Sequence, residues 1–128
     1  MNATAPGVAT VDQWFVAVRD PGQLALAYFG QGKGQSTYDA YMTLTHDMLA
    51  ANPTFFSAIV DDPKHPLLAA PGSPAKDDYI GVDIGPDGSA WGAFYADCTD
   101  DPKDPVCSPG GQFNFEADRA FAGRLVWP

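Results

Sequence analysis

Apolar and polar positions alternate along several short runs of this chain, the period-2 signature of half-buried strands. Trp14–Arg19 and Leu24–Phe29 are the first two, separated by Asp20-Pro21-Gly22. That turn has a mechanism: Pro presets φ and Gly supplies the positive φ that closes a hairpin. Tyr38–Thr45 and Phe55–Val60 follow, and His46–Ala51 reads as one helical turn stopped at Asn52-Pro53. A Pro-rich crossing spans Lys64–Lys76, after which the pattern restarts. Tyr79–Ile84, the turn Gly85-Pro86-Asp87-Gly88, and Ala90–Tyr95 form a second predicted hairpin, and Phe121–Trp127 is the last predicted strand.

The restart is an internal repeat. Asp12 aligns with Asp77, Trp14 with Tyr79 and Pro21 with Pro86; with one inserted residue, Gly22 then meets Gly88 and Ala27-Tyr28-Phe29 meets Ala93-Phe94-Tyr95. A period of about 65 residues suits a repeat architecture. A hairpin, two further strands and a new hairpin is the order of strands in a β-propeller blade.

Composition strengthens the β reading. The 128 residues suffice for one domain. The 13 Gly and 12 Pro disfavour long helices. Of 16 acidic residues, 15 are Asp, a turn former, and only Glu116 is a Glu. The expected organisation is a flexible lead-in over 1–10 and one β domain over 11–128, with blades at about 11–63 and 77–128. The expected fold is all-β, about two four-stranded antiparallel blades, with a single β-sandwich as the alternative. Two blades leave sheet faces and strand edges open, whereas closed propellers use four to eight. The chain is therefore expected either to be part of a larger propeller or to assemble as a homo-oligomer, three two-blade chains closing six blades.

Charge narrows the partners. A net charge of −9 with seven scattered Lys and Arg argues against nucleic acid. No apolar run approaches membrane-span length, and the start lacks a basic-then-apolar signal pattern. Cys98 and Cys107 stand nine apart in a turn-rich loop. A disulfide there implies an oxidising compartment, extracellular or periplasmic.

The segment Asp78-Tyr-Ile-Gly-Val-Asp-Ile-Gly-Pro-Asp-Gly-Ser-Ala-Trp-Gly-Ala-Phe-Tyr-Ala-Asp97 resembles bacterial sialidase-like propellers, the neuraminidase-repeat family. Leu49–Phe56 leading to Val60-Asp-Asp-Pro63 resembles the same family, and the likeness covers roughly residues 11–98. The family's Asp-box, Ser/Thr-x-Asp-x-Gly-x-x-Trp, is degenerate here: Gly88 and Trp91 are in register, Pro86 stands where the Asp belongs and Asp87 falls one place late. The resemblance implies a secreted, glycan-directed protein, an exo-sialidase-type glycoside hydrolase if catalytic. The alternative is a lectin-like or scaffold module without catalysis. Sialidases use an arginine triad, a Tyr–Glu nucleophile and an Asp acid/base. Arg19, Arg119 and Arg124 occupy no recognisable family motif, so catalytic residues stay unassigned and would need other blades.

Candidate ligand residues are Asp12 and Trp14 on the first strand and Asp77, Asp78 and Tyr79 on its repeat. Carboxylates beside aromatic rings can bond sugar hydroxyls and stack on a pyranose face. The competing reading is turn capping and packing between blades. Asp97, Asp100, Asp101 and Asp104 gather oxygen donors that would suit calcium, against a simple solvated acidic loop; no cofactor is otherwise required. His46 and His65 lack zinc spacing and read as packing or surface residues. Glu116 and Asp118 beside Arg119 read as a surface salt link rather than a glycosidase pair.

Overall fold

The computed structural model describes residues 2–62, 64, 80–96 and 119–128. They are all-β, with no helix and seven strands: β1 (Val8–Val18), β2 (Leu24–Gly32), β3 (Asp39–Thr45), β4 (Phe56–Ile59), β5 (Gly81–Ile84), β6 (Ala90–Ala96) and β7 (Arg119–Leu125). Each expected run forms a strand. The four first strands make one antiparallel meander, β1-β2-β3-β4, and the other three a second, β5-β6-β7. The expected helical turn after Thr45 is instead an isolated turn, with Ala50 N–H donating to the Asp47 carbonyl at 2.7 Å. Asn52-Pro53 leaves no room for a second helical bond.

Both hairpins close on a left-handed glycine, φ +88° at Gly22 and +78° at Gly88, as the repeat alignment expects. Asp20 accepts from Gln23 N–H in the first turn, and Gly85 from Gly88 N–H in the second. The last ladder pairs before the turns are Val18↔Leu24 and Ile84↔Ala90. Matching these pairs keeps Gly22 on Gly88 and Ala27 on Ala93. It moves the inserted residue upstream of the turn, so that Trp14, Val16 and Val18 fall on Ile80, Val82 and Ile84.

One core lies between the sheets. Ala25, Ala27 and Phe29 of β2 and Ala40, Met42 and Leu44 of β3 are all fully buried. They meet Ile80, Ile84, Ala90, Phe94 and Leu125 of the second sheet. Phe29 holds Phe94 and Tyr95 edge-on, at 5.8 and 5.4 Å between centroids. Both hairpin turns lie at one end of the stack: Arg19 Nη1 donates to the Ile84 carbonyl at 3.0 Å, and His46 Nε2 to the Gly88 carbonyl at 3.2 Å. The two sheets therefore run in the same sense.

The stretch read as a lead-in is tied down from Ala5, which is buried and donates its N–H to the Tyr28 hydroxyl at 2.7 Å. β1 already begins at Val8.

Candidate functional site

Two places combine exposed aromatic rings with charged groups: the bulge in β1 and the outward face of the second sheet. The ladder between β1 and β2 slips between Asp12, paired with Phe29, and Trp14, paired with Tyr28. Gln13 between them sits at φ +45°, a left-handed conformation that is uncommon outside glycine and costs strain. Residues two apart on a regular strand share a face; the extra residue puts Asp12 on the inward face and Trp14 on the outward one. The structure thus separates these two candidate ligand residues. Trp14 is 64% exposed, and Asp12 is half-buried.

Trp14 heads an apolar strip. Val16 and Val18 share its face and are 47% and 72% exposed, beside half-buried Leu24 and Leu26. Among the described residues, only one end of this face is covered. There Tyr28 and Tyr41 stack at 5.5 Å, with Ala5 and Val8 against them. The Thr43 hydroxyl lies 2.7 Å from that of Ser57.

On the second sheet, the Arg124 guanidinium carbon lies 5.2 Å from the centre of the Trp91 ring. Arg124 Nη2 meets Asp87 Oδ2 at 2.6 Å, and its Nε donates to Ser89 Oγ at 3.2 Å. Asp87 Oδ1 also accepts from the Ser89 hydroxyl at 2.7 Å and backbone N–H at 3.1 Å. These bonds, the Ser89 hydroxyl first, hold the Asp87 carboxyl down at about 2. The second hairpin turn is therefore clamped by Asp87, which bonds forward to Ser89 and across to Arg124.

A carboxylate feature that the sequence reading missed lies at the start of β3. Asp39 is 3% exposed, and its Oδ1 has no hydrogen-bond partner. Burial raises its pKa. Asp61, at the end of β4, accepts from Ala40 N–H at 3.0 Å and adds to the charge felt by Tyr41. The only sequence signal was an Asp opening a strand of mostly apolar residues.

His46 is a packing residue, stacked on Trp127 at 4.8 Å. Asp77, Asp78, Tyr79, Asp97, Asp100, Asp101, Asp104, Cys98, Cys107, His65, Glu116 and Asp118 lie outside the described residues. Among the described residues, no group of three or more His, Cys, Asp or Glu could hold a metal, and no helix is long and apolar enough to cross a membrane.

Inward and outward faces differ between the two repeats. Sheet 1 buries Ala25, Ala27 and Phe29, whose counterparts in sheet 2 are Trp91, Ala93 and Tyr95. Trp91 and Ala93 point outward and are exposed, while Tyr95 at the strand end turns into the core. Sheet 2 buries Ile80 and Ile84 and half-buries Val82, whose counterparts in sheet 1 are the exposed Trp14, Val18 and Val16. The sheets thus stack head to tail, with one face of the repeat in sheet 1 against the opposite face in sheet 2. This class, two repeated antiparallel sheets stacked in one sense, is as far as the fold carries. Comparison with protein-family models, curated proteins and solved structures gives no match.

Proposed function

We propose that the chain is a non-catalytic, propeller-type module that joins further sheets through the open face of its first sheet, within a glycan-directed assembly of the sialidase-like kind. The observation that supports this most is the exposed Trp14–Val16–Val18 strip, which occupies the positions that sheet 2 uses to pack on sheet 1. Contiguous apolar surface of this kind marks an interaction site. The Cys98–Cys107 spacing supports an oxidising setting for this work, extracellular or periplasmic.

The glycan part rests on the resemblance, and the β1 bulge favours it locally. Bulges re-aim side chains near binding sites, and this one exposes Trp14 in the middle of the first strand. Hydrolysis has less support. Arg19 is already engaged at the Ile84 carbonyl and Arg124 at Asp87 and Trp91.

Two measurements test the reading. A fluorogenic sialoside should show no turnover by the chain alone; turnover would restore the hydrolase. At submicromolar concentration the chain should bind anilinonaphthalene sulfonate, and Trp14→Asp or Val16→Asp should remove most of that signal. A face that binds no dye is not an open docking surface, and the reading then fails.

A further inference from the structure

We infer that the open face of sheet 1 receives the outward face of sheet 2 from a second copy of this chain, stacked head to tail. This rests on the docking reading above and names its partner. The contact inside the chain is the template. There, the face carrying Ile80 and Ile84, with half-buried Val82 beside them, shares one core with the face carrying Ala25 and Ala27 of sheet 1. Sheet 1 carries the counterpart of the first face, Trp14, Val16 and Val18, uncovered.

Sheet 2 carries the counterpart of the second. Trp91, Ala93 and Ala122 stand where sheet 1 has Ala25, Ala27 and Met42, and all three are exposed. Ala93 and Ala122 are direct ladder partners, so their small side chains form a shallow floor. Trp91, half-exposed with Arg124 over its ring, walls that floor. The large side chains of one face thus oppose a small-residue floor on the other, in keeping with the core that Ile84 shares with Ala25 and Ala27 within the chain.

Because the two faces differ, the contact is heterologous and repeats from copy to copy. Closure at four to eight sheets would take two to four chains; a rotation that fails to close would give a filament.

The test uses the full chain and two variants at exposed positions, Val16→Asp on sheet 1 and Ala93→Asp on sheet 2, each first shown by thermal melting to fold. Light scattering on a sizing column should give a concentration-dependent mass above one chain for the wild type and a monomer for each variant. An equimolar mixture of the two variants should recover twice the monomer mass and stop there, since each retains one complementary face. A wild-type monomer at the highest soluble concentration overturns the proposal. So does an oligomer lost with Val16→Asp but kept with Ala93→Asp, which would mean like-face pairing. Dye binding separates this from the broader reading. If Ala93→Asp is monomeric yet binds dye in a Val16-dependent way, while the mixture stays monomeric, the open face survives and only this partner falls. If no dye binds, both fall.

Discussion

Gly92 and Gly123 face each other across the β6–β7 ladder, and together they let sheet 1 side chains reach the backbone of sheet 2. A Cβ on Gly123 would stand 2.9 Å from Val60 Cβ, and one on Gly92 2.9 Å from the Met42 sulfur. The two contacts differ in how much they can give. Val60 is held at its Cβ, close to the main chain, whereas Met42 has a flexible thioether. Gly123→Ala should therefore destabilise the fold by about 1–3 kcal/mol, the range for an overpacked core. On the Met42 contact alone, Gly92→Ala should cost less, although the Phe94 ring at 2.7 Å also crowds that position. Urea titration of both variants checks the order.

The seam at the turn end should depend on Trp127. Its ring stacks on His46 and meets Phe56 edge-on at 6.4 Å. Trp127→Ala should cost about 2–3 kcal/mol, from lost burial and lost ring contacts. His46→Phe keeps the stack and drops the bond to the Gly88 carbonyl, so it should cost only about 1 kcal/mol. Denaturant unfolding followed by tryptophan fluorescence separates the two.

Asp87 should protect the fold above the ordinary carboxylate range. Its folded pKa is lowered from 3.8 to about 2, so its contribution is present above pH 3.8 and lost as pH falls towards 2. Asp87→Asn should lower the melting midpoint at pH 7. The gap to the wild type should close between about pH 4 and pH 2. A gap independent of pH would mean that packing, not the charge, carries the effect.

Asp39 should behave in the opposite sense. Burial raises its pKa, so its folded form favours the proton. The wild type is best placed below pH 3.8 and loses stability as pH rises through the folded pKa. Asp39→Asn removes the buried charge and should melt higher than the wild type at pH 7, with the advantage shrinking as the pH falls through the raised folded pKa and gone by about pH 3.8. Melting curves across that range decide it.

The strands were legible because each carries its own local signal. Alternation around Leu24–Phe29 and Ala90–Tyr95, and the Pro-Gly or Pro-Asp-Gly turn before each, place both hairpins without reference to the rest of the chain. The repeat was legible for the same reason, and its paired glycines do adopt the same positive φ. The β1 bulge was not. Asp12-Gln13-Trp14 reads as ordinary alternation, and the slip at Gln13 arises from pairing with β2. Regular alternation would put Asp12 and Trp14 on one face, whereas they lie on two.

Local propensity and period-2 patterning, written in consecutive residues, determined the all-β class, the seven strands, the two hairpins and their repetition. Which face of each sheet is inside was decided only in three dimensions. Trp14-Phe15-Val16-Ala17-Val18 is apolar on both sides, so alternation alone cannot choose between them. The choice falls to shape: Ala25, Ala27 and Ala40 leave room for the second sheet, while Gly92 and Gly123 let it approach. That fit turns Trp14, Val16 and Val18 outward.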